Sequence, residues 1–150
     1  MSYTHLLYHI VFRPKSSEPV INTEHENDLY RYIWGVVKQK NCVLYRIGGM
    51  PDHIHLLVQL RPNITLADFV RDLKVATNIF MTGHKDMFPF FNGWGREYCA
   101  LTCSAKDKNS VVDYIKNQKI HHRVMSFKEE LAEIFKAIGN EANLKHFFDD

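Results

Sequence analysis

The sequence predicts an α+β fold of the ferredoxin-like (RRM-like) kind: an antiparallel sheet with its helices on one face, and further helices after the last strand. Three observations carry this. Apolar residues alternate with a period of two in four short stretches. Helical spacing takes over between the first and second of these, and between the third and fourth. The resulting order, strand–helix–strand–strand–helix–strand, is that of a split βαβ unit, which leaves the opposite sheet face available to a partner or ligand. A chain of 150 residues, 45% of them hydrophobic, suits one domain, residues 1–150, with a substantial core.

The first strand is Leu6 to Phe12, stopped by Arg13-Pro14, and Lys15 to Pro19 is a loop. Thr23 is the expected N-cap of a first helix, with Glu24 and Glu26 in its first turn and Leu29, Ile33, Val36 and Val37 on its apolar stripe. It should end near Asn41. Cys42 to Ile47 reads as the second strand, broken by Gly48-Gly49. The turn residues Pro51-Asp52 then feed a third strand, which ends at Arg61-Pro62-Asn63 and forms a hairpin with the second. Thr65 caps a second helix, Asp68 stands three residues on, and Leu66, Phe69, Val70, Leu73, Ala76 and Phe80 form the stripe. Met81 to Gly95 is irregular, and Glu97 to Ser104 is the fourth strand. A third helix begins near Lys108 to Ser110 and carries Tyr114 and Gln118. A polar, basic stretch over 116–123 follows. Ser126 opens a fourth helix through a capping box with Glu129, and Gly139-Asn140 stops it. The last residues, through Asp150, read as peripheral.

Composition limits the function classes. No apolar run approaches a membrane span, and Met1-Ser2-Tyr3-Thr4-His5 lacks the basic-then-apolar pattern of a secretory signal. Three cysteines, Cys42, Cys99 and Cys103, are odd in number and without zinc-type spacing, which fits a reducing cytoplasm. A net charge of +2 does not by itself argue for nucleic acid, although nine histidines can add to it.

The chemistry concentrates in Met50-Pro51-Asp52-His53-Ile54-His55-Leu56-Leu57-Val58. Strand alternation sets His53, His55, Leu57 and Gln59 on one face and Ile54, Leu56, Val58 and Leu60 on a core face. Two imidazoles side by side on a rigid strand are half of a metal site, or else two surface histidines on an edge strand. His9 can share their surface, but it reads first as a packed or solvated histidine. Tyr114 and Gln118 share a helix face at a spacing of four, offering a phenol oxygen and an amide oxygen.

The histidine block followed by Tyr114-Ile115-Lys116-Asn117-Gln118 resembles the single-tyrosine HUH transposases of the insertion-sequence 200/605 group. Tyr8-His9-Ile10-Val11-Phe12, Lys74, Trp94 with Tyr98, Gln118-Lys119-Ile120-His121-His122 and Phe127-Lys128-Glu129-Glu130-Leu131 extend the likeness over nearly the whole chain. Arg13-Pro14-Lys15-Ser16 departs from it, where the family often has Thr-Lys-Tyr-Arg.

The resemblance implies that His53, His55 and Gln118 ligate one Mg²⁺ or Mn²⁺, and that Tyr114 is the nucleophile. Strand transfer then runs through a 5′-phosphotyrosine on single-stranded DNA bearing a hairpin. It also implies a homodimer in which the tyrosine helix of one subunit completes the site of the other. Arg71, Lys74, Lys116, Lys119 and Arg123 are candidate DNA contacts. The competing classes are a single-stranded nucleic-acid-binding module without chemistry, a metal hydrolase that uses water and forms no covalent adduct, and a domesticated relative acting on dispersed palindromes.

Overall fold

A computed structural model describes residues 2–150; Met1 lies outside them. Four strands, β1 (Leu6–Pro14), β2 (Val43–Met50), β3 (His53–Leu60) and β4 (Trp94–Thr102), form one antiparallel sheet in the order β2-β3-β1-β4. Two crossover helices, α1 (Glu26–Gln39) and α2 (Leu66–Thr82), cover one face. There Ile10, Phe12, Ile54, Leu56, Val58 and Leu60 pack against Leu29, Ile33, Val37, Phe69, Val70 and Leu73. Burial of this many large apolar side chains, each contributing about 1.5–3 kcal/mol, makes this the main core. Thr65 caps α2 by accepting from the Asp68 N–H at 3.1 Å, as the sequence predicts.

The other face is not open. It is covered by α3 (Lys108–Lys116), α4 (Gln118–His121), α5 (Phe127–Ala137) and α6 (Leu144–Phe147). Val11 and Cys99 pack under Phe127, Leu131, Phe135 and Phe147, while Leu7 and Leu57 pack under Ile115. Strand β3 is therefore buried on both sides. The expectation of an available face fails because α3–α6 bring apolar stripes of their own, and this face of the sheet is where they bury them. The Ser126–Glu129 capping box that starts α5 is present in both directions.

Several boundaries move for identifiable reasons. α1 begins at Glu26 rather than after Thr23, because the Asn22 side chain accepts from the His25 N–H at 2.9 Å and holds a turn there. β2 runs through Gly48-Gly49, which pair with His55 and Ile54 on β3. These glycines serve close approach: a Cβ on Gly48 would stand 2.6 Å from the Ile115 carbonyl oxygen, and one on Gly49 would meet the His53 carbonyl. β4 begins at Trp94, and its Gly95 leaves room for the Arg13 guanidinium. The third helix stops at Lys116, and Gln118 opens the separate short α4.

The C-terminus is not peripheral. Phe147 is buried, and the fully buried Arg13 donates to Asp150 Oδ1 at 2.9 Å and to the Phe147 carbonyl at 3.2 Å. Among the described residues, no helix is long and apolar enough to cross a membrane.

Candidate active site

Strand alternation does for β3 what the sequence predicts: His53 and His55 project from one face, and α3–α5 close over them until neither is exposed. In the β1–β3 register Val11 pairs with His55 and His9 with Leu57, so His9 projects from the same face. His9 Nε2 lies 2.8 Å from His55 Nδ1. Asp52, in the turn before β3, accepts from His53 Nδ1 at 2.7 Å, which fixes that ring and turns its Nε2 inward. Phe127 stacks on the His53 ring at 3.9 Å between centroids.

Gln118 arrives from α4 with its amide oxygen 3.0 Å from His53 Nε2. Tyr114, half-buried on α3, reaches the same cluster; its hydroxyl donates to Glu130 Oε2 on α5. Glu130 is the residue the sequence reading missed. Its Oε1 lies 3.2 Å from His55 Nε2, 3.4 Å from His53 Nε2 and 3.2 Å from His122 Nε2, and its Oε2 accepts from Gln118 Nε2 at 3.0 Å. A signal for it did exist. Phe127, Glu130, Leu131 and Ile134 fall on one helical stripe, so a carboxylate stands where an apolar residue belongs.

The electrostatics follow from this packing. Burial, with His55 as neighbour, pushes His9 down to about 3. Burial likewise lowers His55 to about 4 against the pull of Glu130. For His53 burial works the same way, but hydrogen bonds to Asp52 and Glu130 outweigh it and raise its pKa. Burial disfavours an ionised Glu130, yet hydrogen bonds from His122, His53 and His55 hold it well below the usual carboxylate range. Burial and the Glu130 carboxylate raise Tyr114, so the phenol is neutral.

The donor set of these side chains suits a divalent cation. Ligand atoms of His53, His55 and Glu130 lie within 4.8 Å of one another, and imidazoles beside oxygen donors suit first-row divalent metals.

The predicted DNA contacts are dispersed. Lys116 and Lys119 line a groove of about 670 Å³ beside β2, together with Arg31, Trp34, Tyr45 and Arg46. Lys119 is tethered there to Glu26 at 2.8 Å and to the Gly49 carbonyl at 2.7 Å. Arg123 is exposed beyond α4. Arg71 and Lys74 sit on α2, across the sheet from the tyrosine. Arg71 pairs with Asp68 and Asp72; Lys74 donates to the carbonyls of Gly95 and Arg96, and burial lowers its pKa to about 8.

Within this single chain Tyr114 and Gln118 reach the histidines of the same chain. The Ile115 backbone seated on Gly48 docks α3 directly onto its own β2.

The model of a family described as "Transposase IS200 like" matches residues 2–118. The ISDra2 transposase TnpA of Deinococcus radiodurans is 28% identical over 117 residues, covering 75% of this chain and 84% of the relative. The insertion sequence IS200 transposase of Salmonella typhimurium is 28% identical over 115 residues, 74% of this chain and 75% of the relative. Among solved structures, a putative transposase from Deinococcus radiodurans superposes with a TM-score of 0.60 at 28% identity, over 78% of this chain and 93% of that one. A REP-associated tyrosine transposase bound to a REP hairpin superposes with a TM-score of 0.61 at 18% identity, over 81% and 72%, which is a likeness of fold. A match over residues 2–118, spanning both the histidine strand and the Tyr114–Gln118 pair, means that this chain belongs to the IS200-like transposase family.

Proposed function

We propose that this transposase is metal-dependent and that it nicks and rejoins single-stranded DNA at hairpin-bearing ends through a 5′-phosphotyrosine on Tyr114. The observation that carries this reading is the convergence of Tyr114 and Gln118 on His53 and His55, with Gln118 and His53 in hydrogen-bond contact although 65 residues apart in sequence.

His53, His55 and Gln118 would hold Mg²⁺ or Mn²⁺, which when bound draws electron density from the scissile phosphate. Tyr114 supplies the nucleophile. Its hydroxyl oxygen bonds to phosphorus and sheds its proton, the phosphorus–O3′ bond breaks, and the 3′ oxygen leaves as a hydroxyl. The phosphodiester is conserved in the tyrosine adduct, so attack by a 3′-hydroxyl rejoins a strand without hydrolysis.

The β2 groove supports the substrate reading. Arg31, Arg46, Lys116 and Lys119 line it together with Trp34, Tyr45 and Gln118, basic side chains beside aromatic platforms. Arg123 would extend this surface, while Arg71 and Lys74 would meet only DNA that wraps to the α2 side. The proposal includes a homodimer acting in the cytoplasm, each chain using its own tyrosine.

The test is nicking of an end-labelled hairpin oligonucleotide with and without Mn²⁺. Cleavage should require the metal and should vanish in His53→Ala and in His55→Ala, without full rescue by added Mn²⁺. The complete burial of both histidines favours a second reading, a domesticated or non-catalytic single-stranded nucleic-acid-binding module. Tight hairpin binding with no metal-dependent nick would establish that reading instead.

A further inference from the structure

We propose that Glu130 is itself a ligand of the divalent cation, the anionic oxygen that closes the site begun by His53 and His55. This rests on the metal reading above and adds a residue of α5, outside the stretch 2–118 that the family model matches.

Burial comes first. Glu130 is 1% exposed, and its charged neighbours among the described residues are all histidines. No lysine or arginine compensates it, and a buried carboxylate needs a compensating positive charge.

Ring orientation comes second. His53 donates its Nδ1–H to Asp52, which turns Nε2 toward two oxygens, Glu130 Oε1 at 3.4 Å and Gln118 Oε1 at 3.0 Å. A nitrogen and two oxygens converging this closely need one positive centre among them, which is a proton on Nε2 without metal and the cation in its place when metal is bound. His122 places its Nε2 3.2 Å from the same Glu130 Oε1, its Nδ1 facing the Met125 carbonyl at 2.7 Å, and so helps hold the carboxylate in place.

Spacing comes third. Two ligands each about 2.1 Å from one ion stand roughly 3.0–3.5 Å apart at octahedral or tetrahedral angles. The distances from Glu130 Oε1 to the two histidines, 3.2 and 3.4 Å, fall in that range.

Chemistry comes fourth. Two imidazoles and an amide carry no charge, whereas hard divalent cations favour carboxylate oxygen. The second oxygen, Oε2, accepts from Tyr114 and from Gln118 Nε2, so one carboxylate would join ion, amide and nucleophile.

The experiment is Mn²⁺ titration of the full-length protein without DNA, with free Mn²⁺ followed by electron paramagnetic resonance, alongside thermal melting with and without Mn²⁺. Glu130→Gln keeps the shape and removes the charge. It should weaken Mn²⁺ binding about tenfold or more and lose most of the metal-induced rise in Tm. Wild-type affinity in Glu130→Gln, with binding lost in His55→Ala, would remove Glu130 from the ligand set and leave the metal reading standing. Undiminished binding by His55→Ala, or none by the wild type, would instead sink the metal reading itself. Should Glu130→Gln fail to fold, Glu130→Asp retracts the oxygens by one methylene and keeps the charge. Weakened binding by Glu130→Asp at unchanged metal-free Tm supports the ligand role, and unchanged binding overturns it.

Discussion

Tyr114 shows how far a single residue's role depends on its neighbours. Its hydroxyl is held by Glu130, and burial keeps it protonated, so it rests as a neutral donor. Tyr114→Phe removes only that oxygen. The expected outcome is complete loss of the covalent DNA adduct on denaturing gels, with hairpin affinity within about twofold of wild type, because the ring still packs beside His9 and His55. An adduct that persists in the variant would place the nucleophile elsewhere. The Tyr114–Gln118 pair was legible in the sequence as a spacing of four. What orients Tyr114 was signalled only by a carboxylate on an apolar stripe, and Glu130 also looks from sequence like an ordinary first-turn acid of a capped helix.

At the scale of elements, the site depends on how closely α3 approaches β2. The Ile115 carbonyl sits where any side chain at position 48 would begin. Gly48→Ala must push α3 outward, which should cost about 1–3 kcal/mol and lower Tm by several degrees. Because Tyr114 neighbours Ile115 on that helix, cleavage should fall more steeply than stability. Equal Tm and equal cleavage would mean that the contact does not position the tyrosine. Sequence reading took Gly48-Gly49 for a break because glycine is depleted in strands. Only the packing of a helix more than sixty residues away makes glycine the residue a continuous strand needs here. The caps at Thr65 and Ser126 were readable because both partners lie within three residues of each other.

Across the whole molecule, the last residue ties the C-terminus back to the start of the sheet. Asp150 accepts from the Ser16 hydroxyl and N–H at 2.6 and 2.9 Å, and from Arg13. These bonds, Ser16 first, hold its carboxyl down at about 2 against an ordinary 3.8. A depressed folded-state pKa stabilises above the unfolded value, so the clasp contributes fully above about pH 4 and is lost as pH falls through about 2. Asp150→Asn should therefore cost about 1 kcal/mol near neutrality, a shift of roughly 2–4 °C, with the difference from wild type shrinking toward pH 2 in acid melts. A difference independent of pH would mean that the charge contributes nothing.

Assembly is tested at the same scale. Mixing Tyr114→Phe with His55→Ala chains under conditions of exchange should give an inactive mixture, since each chain here builds its own site. Cleavage restored in tagged heterodimers would show that the tyrosine helices exchange.

By itself the sequence determined the alternation that sets His53 and His55 opposite Ile54 and Leu56, the order of the first six elements, and the Tyr114–Gln118 spacing. Each of these is a local periodicity, readable within two turns of helix or one length of strand. Only the tertiary structure decided that the second sheet face is covered and that His9 and Glu130 join the histidine pair. The reason is physical. Periodicity states which face of an element is apolar, but not which other face it meets. That choice is made by long-range packing of α3–α6 against β1–β4, with a buried carboxylate accommodated only where histidines from β3 and from the segment after α4 converge on it.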